Sequence, residues 1–383
     1  MNRSFDTIIV GLGGMGSAAA CHLAGRGQRV LGLDQFTPPH DQGSSHGQSR
    51  VIRQAYYEDP AYVPLLLRAY ELWRQLESDA GKELLTLTGG LMLGAPDSGV
   101  VAGSLRSAKQ HGLPHELLDA REIRKRFPQF NPGPDDVALY EKNAGGVRPE
   151  EAVRAHLGLA ARGGAALEFE TKVTAWAATH ERVRVTTDRG DFEAGQLVIS
   201  AGPWAGKLLV DLGLPLRVER QVQFWFEPAG GLEPFLPDKF PIWISETKEG
   251  THPYGLPALD GARGGVKVAL HHGGKNPACP PEAIDRSVSE EEIALARRSV
   301  SALLPALNGR CLRAVTCMYT NTPDEHFLID RHPRHAQVLI VSPCSGHGFK
   351  FCPVIGEIVA DLVAQGKTRH DLSPFRLGRF NPK

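Results

Sequence analysis

The chain opens on a unit that few folds can accommodate. Thr7-Ile8-Ile9-Val10 is a short β-branched run suited to a strand buried on both faces. It enters Gly11-Leu12-Gly13-Gly14-Met15-Gly16 at once, a G-x-G-x-x-G loop, and the small-residue stretch Ser17 to Gly25 then reads as a helix. A second strand, Arg29 to Leu33, ends on Asp34. Gly11 permits the tight turn, Gly13 lets the backbone approach a pyrophosphate, and Gly16 lets helix and strand pack closely. The helix N-terminus offers free N–H groups to phosphate, and Asp34 is placed to accept ribose hydroxyls. An isolated glycine loop is weak evidence. Strand, loop, helix, strand and acid in this order predict a dinucleotide site in a Rossmann-like α/β domain.

The motif leaves NAD and FAD open. Its place at the start of the chain, with the remaining chemistry elsewhere, leans towards FAD. So does Leu197-Val198-Ile199-Ser200-Ala201-Gly202, a buried strand ending in small residues where backbone could again approach a cofactor. It follows an alternating hairpin, Val183, Val185 and Phe192, turned at Asp188-Arg189-Gly190.

A chain of 383 residues predicts two domains. Lys+Arg and Asp+Glu both total 43, so no net field favours nucleic acid or an anionic membrane. No apolar segment reaches the ~18 to 20 residues of a membrane span, and the glycines and His22 within Ile8–Gly25 argue against a signal peptide. The six cysteines show no C-x-x-C spacing and are sparse for a disulfide scaffold, which predicts a reducing, cytoplasmic setting. His271-His272, and His326 with Asp324 and Glu325, lack further ligands at metal-binding spacing.

Along the rest of the chain, Asp59-Pro60 predicts a helix start, with Leu65, Leu66, Ala69, Leu72 and Trp73 on a core face. Glu150 to Arg162 reads as a helix leading into a strand Leu167 to Val173. From about 217 short strands separated by Pro and Gly predict a mainly antiparallel sheet, a roof over a ligand. Near the end, strand Val338 to Ser342 runs into Ser345-Gly346-His347-Gly348-Phe349-Lys350 and a helix from Pro353 to about Gln365. That glycine loop aims backbone N–H groups and a positive helix end at something, worth ~0.3 to 2 kcal/mol to an anionic group.

Several segments together resemble the monomeric sarcosine oxidase and N-methyltryptophan oxidase family of flavoenzymes. They are Gly43-Ser44-Ser45-His46-Gly47-Gln48-Ser49-Arg50-Val51-Ile52-Arg53, Cys317-Met318-Tyr319-Thr320 with Asp324-Glu325-His326-Phe327, Ser345 to Lys350, and the tail Pro374-Phe375-Arg376-Leu377. With the N-terminal motif, the similarity spans essentially the whole chain.

The resemblance implies FAD held covalently through a thioether at Cys317, a residue that alone would read as a core cysteine. It implies that His46 and Arg50 line the flavin, that Arg53 and Lys350 grip a substrate carboxylate, and that Tyr254, Tyr319 and His271 wall the pocket. A guanidinium fork and an ammonium suit a carboxylate, although each cation alone would read as surface. Lys267 matches a lysine that promotes reaction with dioxygen. Ser49, Val173, Ala201, Gly202, Gly346 and Gly348 complete the implied cofactor contacts. Ser45 stands where a second histidine is common and Gln48 where an acid is, near the substrate and flavin entrance; these departures bear on substrate choice.

The implied activity is oxidation of a small secondary amino acid by net hydride transfer to FAD, with imine hydrolysis and dioxygen reduced to hydrogen peroxide. The amine reacts as its free base, so activity rises with pH. A monomer is expected, with an FAD domain over 1–86, 147–216 and 323–383 and a catalytic domain over 87–146 and 217–322. The rival readings are a flavin-dependent amino-acid dehydrogenase with another acceptor, an NAD-dependent dehydrogenase, and a non-catalytic nucleotide-binding protein.

Overall fold

A computed structural model describes residues 5–261, 264–271, 278–342 and 345–380. His272 and Cys344 lie outside the described residues, as do Ala262 and Arg263 in the loop before Lys267.

The strand Phe5–Val10 runs parallel between Val30–Leu33 and Gly190–Ile199, and its four last residues are buried. Ala166–Glu168 extends the parallel set on one side and His335–Ser342 on the other. An antiparallel hairpin, Val173–Ala178 with Val183–Thr187, pairs with the first half of Gly190–Ile199. Helix Gly14–Gly25 packs on this sheet between helices Pro149–Arg162 and Cys352–Gln365. Its alanines allow the close approach: a Cβ at Gly356 would stand 2.7 Å from the backbone of Ala18.

The strand expected over Leu167–Val173 is two elements. Ala166–Glu168 ends, Glu170 turns at φ 51°, and a new strand starts at Val173. The turn is held by the Thr171 amide, which donates to the Asp34 carbonyl at 2.8 Å. This is a long-range bond, and local propensity carries no sign of it. The helix expected from Asp59-Pro60 begins with a 3-10 turn, Pro60–Tyr62, whose Ala61 amide is capped by Asp59 at 2.7 Å. Helix Val63–Ala80 follows, and all five expected core positions are buried.

The second sheet has eight strands in the order Cys311–Asn321, Arg217–Phe226, Val266–His271, His252–Leu256, Ile242–Ser245, Gly90–Gly94, Val137–Glu141, Glu116–Asp119. Every pairing is antiparallel except that of Ile242–Ser245 with Gly90–Gly94. Leu328–His332 pairs antiparallel with His335–Ser342 in the first sheet, and a small sheet of Arg50–Ile52, Gly145–Val147 and Leu85–Leu87 completes the strands. Side chains alternate along a strand, so Cys317 and Tyr319 share one face of theirs, and Lys267 and His271 share one face of theirs. Among the described residues no helix is long and apolar enough to cross a membrane, and no cluster of three metal-ligating side chains occurs.

Candidate active site

One cavity of about 500 Å³ runs from the glycine loop to the second sheet. At one end it meets Gly11, Gly13, Asp34, Ala201 and Gly202; at the other, Tyr254, His271, Tyr319, Gly346 and Lys350. Gly348, Val173, Arg50, Arg53 and Cys317 also line it. Gly16, His46, Ser49 and Lys267 are not among the lining residues.

The glycine loop is shaped by contacts that exclude side chains. A Cβ at Gly16 would lie 1.8 Å from the Gly11 carbonyl oxygen, and Gly11, at φ 89°, is pressed against Ser200. Asp34 fixes the loop directly: Oδ2 accepts from the Leu12 amide at 2.7 Å and Oδ1 from the Phe36 amide at 2.9 Å. Ser45 lines the same cavity. Its Oγ accepts from the Gly14 amide at 3.0 Å, so it belongs to the glycine loop. The backbone amide of Gln48 donates to the Glu150 carboxylate at 3.0 Å. Both are held by backbone bonds across the fold, which a motif match does not display. Sequence reasoning also passed over Thr171 and Lys172, which the break after Glu168 brings to the cavity wall.

These features fit a flavin dinucleotide. A cradle without Cβ atoms receives a pyrophosphate at the helix N-terminus. Ser342 lines the same cavity, and among the described residues its buried Oγ has no hydrogen-bond partner, so it is available to a ligand.

Cys317 is 2% exposed. Burial pushes its thiol up, but the neighbouring His46 imidazole and then the Arg50 guanidinium outweigh this and bring it down to about 6. Arg50 Nη2 lies 3.6 Å from Sγ and is held by the Ser44 carbonyl at 2.9 Å; Nη1 donates to the Ser49 carbonyl and to Gln223. A thiolate poised at neutral pH beside fixed positive charge is a nucleophile.

Arg53 is 1% exposed. Its Nη2 donates to both oxygens of Glu58, at 2.6 and 2.8 Å, and its plane lies between the rings of Tyr56 and Tyr57, 4.2 and 4.4 Å from their centroids. The backbone that presents it is clamped where the Gln54 and Ala55 amides donate to Glu141. Lys350 Nζ donates to the His347 carbonyl at 2.8 Å; burial, then Arg53 and Arg50, bring it down to about 7 against the opposing pull of Glu58. Glu58, Tyr56 and His347 were missed in the sequence. The only local hint was an acid and two aromatic rings following Arg53.

His271 Nδ1 lies 3.2 Å from the Tyr319 hydroxyl, and the Tyr254 ring stands edge-on to His271. Lys267 is buried, its Nζ donating to the Gly47 and Ser49 carbonyls at 2.8 and 2.7 Å. Burial, then Arg50, lowers its pKa well below the ordinary lysine value. The site therefore joins a phosphate cradle, a reactive thiolate, and cations fit to hold a carboxylate within aromatic walls.

The FAD dependent oxidoreductase family matches residues 6–362. Monomeric sarcosine oxidase of Streptomyces avermitilis is 55% identical over 100% of this chain and 98% of its own length. The N-methyl-L-tryptophan oxidase of Salmonella typhi is 38% identical over 98% of this chain and 99% of its own. Among solved structures, NikD, an unusual amino acid oxidase essential for nikkomycin biosynthesis, superposes with TM-score 0.84 at 27% identity, covering 98% of this chain and 97% of that one.

Proposed function

Since the chain belongs to the FAD dependent oxidoreductase family, we propose that it is an oxidase of a small secondary amino acid, N-methylated or cyclic, with FAD attached through Cys317. The observation that carries this reading is the convergence of Arg53 and Lys350 with Tyr254, His271 and Tyr319 at one end of the cavity. Cys317 and Arg50 line the same cavity, and the glycine cradle forms its other end.

Bound flavin supplies the two-electron acceptor that no side chain can provide. The protein supplies position and charge. Gly11, Gly13, Gly16, Gly346 and Gly348 admit the cofactor, with Asp34 and Ser342 as polar partners and Ser49, Val173, Ala201 and Gly202 around them. Cys317 would hold the ring system by a thioether, the two electrons released as C–S replaces a methyl C–H going to the flavin itself and then to dioxygen, and His46 and Arg50 keep the sulfur anionic beforehand. Arg50 also places positive charge where reduction adds negative charge.

Arg53 and Lys350 hold the substrate carboxylate, while Tyr254, His271 and Tyr319 orient the amine, which reacts as its free base. The imine product is hydrolysed after release, and dioxygen is reduced to hydrogen peroxide. Lys267 supplies the charge for that second half: a cation ~4 Å from a forming superoxide, at an effective dielectric of ~20, is worth roughly 4 kcal/mol, about a thousandfold in rate.

The proposal extends to a monomeric, cytoplasmic enzyme. It is supported by the name "monomeric" carried by several relatives and by the unpaired state of the described cysteines. An FAD domain over 1–86, 147–216 and 323–383 and a catalytic domain over 87–146 and 217–322 follow the segregation of strands between the two large sheets.

The test is acid precipitation of the purified protein and a peroxide assay over a panel of secondary amino acids. A yellow pellet and peroxide from at least one N-methyl or cyclic amino acid are expected. A white pellet under a yellow supernatant defeats covalent attachment, and silence across the panel defeats the oxidase reading.

A further inference from the structure

We propose that Tyr56 and His347 form a positioning pair that fixes Lys350 and, with it, the grip on the substrate carboxylate; this rests on the carboxylate reading above. Neither residue lies in the pyrophosphate cradle or among the groups assigned to the amine.

The argument starts from a proton. His347 Nε2 lies 2.9 Å from the Glu325 carbonyl oxygen. A carbonyl only accepts, so Nε2 carries the hydrogen. His347 is buried, and burial holds its pKa down at about 4, against the opposing charge of Glu58, so the ring is neutral at working pH. Nδ1 is therefore an acceptor. The Tyr56 hydroxyl, 2.6 Å away, must donate to it. With its proton committed to His347, the Tyr56 oxygen offers lone pairs, and Lys350 Nζ lies 3.4 Å from that oxygen. The same ammonium donates to the His347 carbonyl at 2.8 Å. His347 thus holds Lys350 twice, once by its backbone and once through Tyr56.

Tyr56 also reaches the second cation. Its ring face lies under the Arg53 guanidinium, at 4.2 Å. One buried tyrosine therefore touches both groups assigned to the carboxylate: Arg53 by its ring face, and Lys350 by its hydroxyl as well as its ring, 5.2 Å from the centroid. The imidazole cannot drift, because it stacks on Phe327 with centroids 5.0 Å apart and meets Tyr62 edge-on. The charged groups acting on Lys350 are Arg53 and Arg50, which oppose its charge, and Glu58, which favours it. Against that balance, an acceptor at Tyr56 favours the ammonium, and the third N–H of Lys350 is the one left for a substrate oxygen.

The test uses the holoenzyme and methoxyacetate, a carboxylate with no oxidisable amine. Its dissociation constant is measured by calorimetry across neutral to alkaline pH for the wild type, Tyr56→Phe, His347→Phe and His347→Asn. The wild type should bind more weakly as pH rises and Lys350 loses its proton. Tyr56→Phe keeps the ring under Arg53 but removes the acceptor, so binding should weaken about tenfold and the loss should begin at lower pH. His347→Phe should act in the same direction. His347→Asn returns an acceptor oxygen near the Nδ1 position and should recover most of the affinity. Wild-type affinity and an unshifted pH profile in Tyr56→Phe overturn the positioning pair, even if His347→Phe fails to fold. A wild type that does not bind methoxyacetate overturns the carboxylate reading itself, and the pair's role with it.

Discussion

The guanidinium of Arg53 is already paired: both oxygens of Glu58 lie within 2.8 Å of its Nη2. Burial pushes the Glu58 carboxyl up, but the charge of Arg53, aided by Lys350, outweighs it and holds the group in the anionic form. A substrate carboxylate arriving at Arg53 therefore competes with a resident one. Glu58→Gln keeps a hydrogen-bond acceptor but removes the competing charge. It should tighten binding of a simple carboxylate by roughly threefold to tenfold, read by calorimetry on the holoenzyme. Weaker binding would mean that Glu58 serves to aim Arg53.

The thiol of Cys317 offers a second measurement. In protein expressed under riboflavin starvation, so that the sulfur is free, alkylation by iodoacetamide should rise with a midpoint near the thiol value of about 6. Burial alone would push that midpoint up, and His46 is the leading group opposing it. His46→Asn should therefore move the midpoint upward and slow alkylation at neutral pH. An unchanged midpoint would assign the depression to Arg50 alone.

Lys267 is tied to the carbonyls of Gly47 and Ser49, the segment that leads into Arg50. Lys267→Met should slow flavin reoxidation by dioxygen about a thousandfold by the charge argument, while anaerobic reduction by substrate survives. Because burial lowers the pKa of this lysine, reoxidation in the wild type should itself decline as pH rises and the ammonium is lost. Stopped-flow mixing of reduced enzyme with oxygenated buffer measures both. Equal loss of the two half-reactions in the variant would make Lys267 a structural support of the 47–49 turn.

What could be read from the sequence was whatever depends on neighbours in the chain. The glycine loop is legible because its steric demands are local: Gly11 needs a positive φ, and Gly16 sits on the Gly11 carbonyl. The turn after Glu168 was not, since it hangs on a bond from Thr171 to Asp34 across the sheet. The roles of Tyr56 and His347 were hidden too, because 291 positions of the chain separate them. The bond from the Gly14 amide to Ser45 was hidden as well, because a motif gives the type of a residue and not the direction in which it points.

Glu357 allows a stability prediction with a definite sign. It sits on helix Cys352–Gln365 and accepts from Arg68 Nη2 on helix Val63–Ala80 at 2.6 Å, with His370 Nε2 at 3.2 Å and Arg369 at 3.5 Å. Burial pushes its carboxyl up, but these partners outweigh it and bring the pKa down to about 2 from an ordinary 4.5. A carboxylate depressed by folding stabilises the fold above its unfolded value, and that stabilisation is lost as pH falls towards the folded value. Glu357→Gln should therefore cost about 2 kcal/mol at neutral pH after allowing for partial solvent screening, seen as a melting temperature lower by a few degrees. The gap between wild type and variant should begin to close below pH 4.5 and narrow steadily on further acidification. A gap that stays constant with acid would show that the lost acceptor oxygen, and not the charge of the carboxylate, accounts for the variant's lower stability.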